Sequence, residues 1–277
     1  MSRFLVGAFA LICLFSLDAV QAQQKLASTG WGSLTGKVTY DGTPPVMADL
    51  TPKMMLHQDK ACCLDPMAKP FEKIEQTWVV DPKTKAVANV MVYLKAPAGF
   101  YLPTHPKLTK KPGAVIDQPH CAFIPHVAAY NPKHYDDNGK MVDSGQTFTI
   151  KNSATVSHNT RAITQIKYNT GFNDNMPAKT EAVKKLNPQP LPVTILCDAH
   201  TWMNARLFVF DHPYYAITNK DGVFELPFVP AGAELIVMAH HEDVGFVLAK
   251  KDGEKLIIGE KMTLKAGKNT LDFQIKK

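Results

Sequence analysis

The stretch "VTILCDAHTWMNARLFVF", residues 193–210, decides how this chain is read. Its ends, "VTIL" and "ARLFVF", are rich in β-branched and aromatic residues, the chemistry of a strand. Between them lies a short loop with a thiol, an imidazole and a thioether three residues apart: Cys197, His200 and Met203. The same strand chemistry recurs outward in both directions, in "QTFTIKNS" (146–153), "NVMVYLKA" (89–96) and "SLTGKVTYDG" (33–42), and in "VFELPF" (223–228), "ELIVMAH" (234–240) and "TLDFQI" (270–275). Glycine and proline separate these runs, and sustained 3.6-residue periodicity is almost absent. "AKTEAVKKLN" (178–187), with few apolar positions, is expected to form a short helix or turn. The fold class is therefore all-β, in one or two sandwiches.

The N-terminus reads as a secretion signal. Arg3 precedes an apolar run from Phe4 to Leu17, and Val20 and Ala22 sit where a signal peptidase requires small or apolar residues. Residues 1–22 are expected to be a signal peptide cleaved after Ala22, placing the protein in the periplasm, outside the cell or at its surface. Residue 12, before Cys13, is Ile and not the small residue a lipidation signal needs. No second long apolar run suggests a transmembrane segment. The net charge of +6 comes from scattered lysines without interleaved aromatics, so no nucleic-acid partner is read. The densest basic run, "KLTKKPG" (107–113), reads as a solvated loop.

Export sharpens the question of the cysteines. Cys62, Cys63, Cys121 and Cys197 would meet an oxidising compartment, where cysteines pair. A disulfide from Cys121 to Cys62 or to Cys63 is expected, the sequence leaving the choice open. Cys197 differs from the others in standing among metal-type donors. Upstream, "SGQTFTIKNSATVSHNT" places His158 just beyond a strand and its turn. His158, Cys197, His200 and Met203 together form a two-histidine, one-thiolate, one-thioether set, that of a blue-copper electron-transfer centre. Thiolate and imidazole hold both copper oxidation states, and a weak thioether raises the potential.

Other candidates are weaker. "IDQPHCAFIPHV" (116–127) carries His120, Cys121 and His126, read as a disulfide and packed histidines before a second metal site. Met54, Met55 and His57 would be extra ligands if the protein stored or delivered copper. "MAHHED" (238–243) reads as a surface turn at a strand end. No glycine-rich phosphate loop, Gly-x-Ser-x-Gly elbow or His-Glu-x-x-His motif occurs, and no carboxylate spacing demands acid–base catalysis.

The segments "GQTFTIKNSATVSHNT" (145–160) and "CDAHTWM" (197–203) resemble the cupredoxins, the family of amicyanin and plastocyanin, over about residues 113–211. The resemblance implies one type 1 copper, with His158, Cys197 and His200 equatorial and Met203 axial. It implies that the Asn159 backbone N–H supports the thiolate, that Trp202 shields the copper edge, and that His200 is the solvent-edge ligand through which electrons leave. Two departures stand out: Leu196 precedes the cysteine where many relatives have an aromatic, and 128–145 looks like an added loop. "GSLTGKVTYDGTPP" (32–45), "ANVMVYLKA" (88–96) and "AITNKDGVFELPFVPAGAELIVMAHH" (216–241) resemble the transthyretin-type, carboxypeptidase regulatory-like sandwich. The expected organisation is a cupredoxin Greek-key domain, 100–211, inserted into a smaller sandwich made of 32–99 and 212–277. "CDAHTWM" followed by "DHPYYAIT" (211–218) also resembles cupredoxin-like proteins of bacterial surfaces.

These features lead to an exported, non-enzymatic carrier of single electrons between redox protein partners. The rival is a cell-surface module that binds carbohydrate or protein, with a structural or vestigial metal site.

Overall fold

The computed structural model describes residues 23–277, the side chains of Lys251 and Lys255 apart; the expected signal peptide, with Cys13, lies outside the described residues. The described chain is all-β apart from a few helical turns.

One core lies between two sheets built from 114–209. The larger runs Phe172–Met176, His158–Ile163, Val193–Leu196, Asn204–Val209, Val127–Tyr130, the last pair parallel and the others antiparallel. The smaller runs Thr180–Lys184, Phe148–Asn152, Ala114–Asp117. Alternation along the strands turns Phe148, Ile150, Val193, Ile195, Ala205 and Leu207 into this core. The stretch 178–187 is not the expected helix or turn. Thr180–Lys184 pairs antiparallel with Phe148–Asn152, setting Ala182 opposite Ile150. A waiting sheet edge overrides weak local propensity. Residues 128–145 begin as the edge strand Val127–Tyr130 and continue as a hairpin, Lys133–Tyr135 against Met141–Asp143.

A second core lies between sheets from both ends of the chain. Gly30–Tyr40 pairs with Val223–Ala231, Gly267–Thr270 and Phe273–Ile275, while Met91–Lys95 pairs with Tyr215–Ile217 and Glu234–His241. Leu34, Val38, Val92, Leu94, Phe224, Leu226, Leu235 and Val237 fill it. Gly222 turns the chain at the positive φ expected of an Asp-Gly turn, and a Cβ there would run into the Val38 carbonyl oxygen. "MAHHED" ends the strand Glu234–His241 and turns at 242–244 as expected, but His241 is not on the surface: it is buried and its ring lies 3.9 Å from that of Trp78. A small cluster of Met91, Val127, Phe208 and Phe210 joins the two cores.

One segment matters most for the site. Residues 49–74 form three short helical pieces, Thr51–Met55, Lys60–Cys63 and Pro70–Lys73. Leu50, Met54, Cys62 and Cys63 pack into the first core, although the segment precedes the second sandwich's strand Met91–Lys95. A disulfide between Cys63 and Cys121 pins it there; Cys62, its neighbour, is a buried free thiol. Of the two pairings left open by sequence, Cys63–Cys121 is the one formed. The segment is a cap over one end of the first sandwich.

Candidate metal centre

Strand geometry brings the expected ligands together. His158 opens the strand His158–Ile163, whose alternation points His158, Thr160 and Ala162 inward. Arg161 of that strand pairs with Leu196, so Cys197, one residue further, emerges at the same end of the sheet. Leu196 pairs in turn with Asn204, which closes residues 197–203 into a tight loop. Within it the Cys197 N–H donates to the Met203 carbonyl (3.3 Å) and the Met203 N–H to that of His200 (2.8 Å). Met203 is buried in the same core as Cys197.

The donor atoms of three of these residues converge. His158 Nδ1 and His200 Nδ1 lie 3.1 Å apart, and Cys197 Sγ lies 3.9 and 3.8 Å from them. A cation at ordinary lengths, about 2.0–2.1 Å to imidazole nitrogen and about 2.3 Å to thiolate sulfur, fits within a triangle of that size. Protonation supports the fit. Burial pushes the His158 pKa down to about 4, helped by the adjacent His200 imidazole. Burial, with His57 beside it, also lowers that of His200, against the opposing pull of Asp59. Both rings are thus neutral at neutral pH and offer lone pairs. Cys197 is 2 % exposed and unpaired in a chain that forms a disulfide elsewhere. The residues fit a thiolate-binding metal such as copper.

Two asparagines build the scaffold. Asn159 Oδ1 accepts from the Asp198 N–H (2.7 Å), the Ala199 N–H (3.2 Å) and the Cys197 thiol (3.3 Å). Its side chain therefore fixes the loop 197–203 to the His158 strand; the resemblance had implied support through its backbone N–H. Asn152, missed in the sequence, is fully buried and donates through Nδ2 to the carbonyls of Val156 (2.9 Å), Met176 (2.8 Å) and Pro177 (3.1 Å). Its Oδ1 takes the Ala154 N–H (3.0 Å). That shapes the turn delivering His158. The available signal was an Asn closing a strand before a small polar run, an Asx-turn pattern.

His200 is not a solvent-edge residue: it is 0 % exposed. The cap covers it. The His57 ring lies 4.4 Å from the His200 ring, and Asp59 Oδ2 is 3.2 Å from His200 Nε2. Trp202 borders the same edge, its ring 5.4 Å from that of His200, and its indole N–H donates to the Cys121 carbonyl (3.1 Å). Trp202 thus ties the loop 197–203 to the disulfide.

The remaining candidates are otherwise engaged. His57 uses both nitrogens: Nε2–H donates to the Ala199 carbonyl (3.2 Å) and Nδ1 accepts the Asp59 N–H (3.2 Å). Cys63, near His57 and His200, has its sulfur in the disulfide. Met54 is buried while Met55 is 60 % exposed, so the two thioethers lie on different faces of the cap. His120 Nδ1 is 2.7 Å from Glu72 Oε2, and His126 Nε2 is 2.6 Å from Glu242 Oε1, while Glu242 Oε2 pairs with Arg206 at 3.1 Å. These contacts tie both imidazoles into the packing and leave them otherwise engaged.

No family model matches the chain, and no curated protein matches it. Among solved structures it is similar to a copper-containing nitrite reductase from Thermus scotoductus SA-01, at 12% identity and a TM-score of 0.28. That likeness covers 35% of this chain and only 22% of the reductase. An oxidised variant of amicyanin is similar at 13% identity and a TM-score of 0.28, over 35% of this chain and 81% of that one. A purple cupredoxin from Nitrosopumilus maritimus is similar at 15% identity and a TM-score of 0.26, over 35% and 98%. Each of these three is alike over about a third of this chain.

Proposed function

We propose that the protein carries single electrons outside the cytoplasm through one type 1 copper held by His158, Cys197 and His200, with Met203 as the axial thioether. The observation that carries this reading is the convergence of a buried, unpaired thiol on two neutral imidazoles. Copper would supply a one-electron couple, and the protein would turn over no substrate. The chain's own part is to hold the donors rigidly. Strand pairing fixes His158 and Cys197, Asn159 locks the loop, and burial keeps both rings neutral. Little rearrangement is then needed when the charge on the centre changes.

The Cys63–Cys121 disulfide fits an oxidising compartment, and no helix among the described residues is long and apolar enough to cross a membrane. The second sandwich, with its resemblance to regulatory-like modules, would serve as scaffold or docking platform for redox partners.

A copper-loaded sample tests the proposal. An intense visible thiolate-to-copper band with one copper per chain is expected. Cys197→Ser should abolish the band with the fold intact, and so should His158→Ala. A colourless wild-type complex, or a band that survives Cys197→Ser, rejects the assignment.

One observation favours a second reading. A cleft of about 430 Å³ opens beside the strand Met91–Lys95, lined by Tyr93, Phe100, Tyr101, Tyr135, Tyr168 and Phe210 among others. Aromatic walls of that kind suit a glycan or peptide, as in a cell-surface binding module. Retained glycan binding by a colourless copper-loaded protein would favour this reading. Storage of several Cu(I) ions finds less support, because His57 has no free nitrogen and Met54 and Met55 diverge.

A further inference from the structure

We propose that Asp59, on the cap, is a positioning residue for His200, holding the proton on Nε2 so that Nδ1 keeps its lone pair for the metal. The inference rests on the metal-site reading above. Asp59 Oδ2 stands 3.2 Å from His200 Nε2, close but not aligned for a hydrogen bond, and Nε2 has no other partner. The imidazole is completely buried, so water cannot take the place of that acceptor. At the ring's other end, Nδ1 faces His158 Nδ1 and Cys197 Sγ. A neutral imidazole carries one N–H. A carboxylate beside Nε2 favours the tautomer with the proton there, which frees Nδ1.

Asp59 is itself held. Its backbone N–H donates to His57 Nδ1, and His57 Nε2–H donates to the Ala199 carbonyl on the ligand loop. The cap is therefore clipped to the very loop whose histidine it orients. A carboxylate behind a metal-binding histidine orients the ring and makes it a stronger donor, and such partners are typically worth 10–100-fold in metal affinity. Its negative charge also favours the more positive oxidation state of the centre.

The test separates charge from mere cover. Loss of the carboxylate raises the reduction potential, because it removes a negative charge beside the ligand. Loosening the cap lowers it, because entering water favours the more highly charged oxidised centre. Full-length protein, wild type and Asp59→Asn, is titrated with Co(II) and Zn(II) for affinity, and its copper form is poised electrochemically. Cys121→Ala serves as the loosened-cap reference, and thermal unfolding without metal checks each fold.

The expected result for Asp59→Asn is at least a tenfold loss of Co(II) affinity. The potential should rise by a tenfold change in the Cu(II):Cu(I) affinity ratio, equal to about 59 mV for one electron. Asp59→Glu should restore part of both. Should Asp59→Asn fail to fold, Asp59→Ser takes its place: at least a tenfold loss of Co(II) affinity with a raised potential supports the inference, and a lowered potential like that of Cys121→Ala overturns it. An Asp59→Asn potential that is unchanged or lower, or an affinity within threefold of wild type, overturns the positioning role and leaves the site assignment standing. Failure of the wild type to bind Co(II), Zn(II) or copper removes both.

Discussion

Asn152 shows how one side chain shapes the turn that leads to His158, the proposed ligand. From a fully buried position its amide hydrogens serve three backbone carbonyls, and its oxygen takes the Ala154 N–H. Asn152→Ala would leave the buried Met176 carbonyl and Ala154 N–H unmatched, at a cost of about 2–3 kcal/mol. Asn152→Asp should be at least as damaging despite its shape, since a carboxylate has no N–H for the Val156, Met176 and Pro177 carbonyls. Denaturant unfolding of the metal-free protein gives both values. An Asp variant as stable as the wild type would mean that Nδ2 is not the group that matters. At this scale Cys197, His200 and His158 were legible in sequence, because chemistry and spacing marked them. Asn152 and Asp59 were not. An asparagine after a strand and an aspartate in a polar run acquire roles only through partners that folding brings to them.

The strands of 193–210 could be read directly, since composition and bounding turns announce them. The cap could not. Its helical pieces Thr51–Met55 and Lys60–Cys63 are too short to show a periodic apolar face, and their burial depends on a partner cysteine 58 residues away. The expectation of an exposed His200 failed for that reason: the covering element is remote in sequence. Thr180–Lys184 was misread because its pattern is weak and its strand character comes from the neighbouring edge. The disulfide closes a loop long enough to contribute about 4 kcal/mol by restricting the unfolded chain. Cys121→Ala is the cleaner way to remove it, because Cys63→Ala would leave Cys62 beside it to re-pair with Cys121. The variant should lose roughly 2–4 kcal/mol of stability. It should also release bound metal to a chelator at least tenfold faster, as the cover over His200 loosens. An unchanged release rate with the expected loss of stability would show that the cap does not limit access.

Across the whole molecule, several histidines are buried in neutral form. Burial pushes His158 in the first core down to about 4, and does the same to His240 and His241 on the strand Glu234–His241. A histidine whose folded pKa is depressed binds fewer protons than its unfolded counterpart between the two values. Stability is then fully present above the unfolded value near 6.5 and falls as the pH drops toward about 4. Each such residue contributes a slope of up to about 1.4 kcal/mol per pH unit in that window. His241 is the group to test because it lies away from the proposed metal centre. It packs on Trp78, and Glu242 and Asp243, which favour its charged form, do not offset its burial. His241→Phe keeps a ring against Trp78 and removes the titrating group, at the cost of the hydrogen bond that Nδ1 accepts from the Asp243 N–H (3.3 Å). In metal-free protein the variant should be modestly less stable than wild type at pH 7. The difference should shrink or reverse by pH 5, as the wild type alone bears the penalty of protonating His241. Urea unfolding at pH 7, 6 and 5 measures the slope. Parallel stability–pH curves for the two proteins would show that His241 takes up its proton without opposing the fold, and that the acid sensitivity of this chain lies elsewhere.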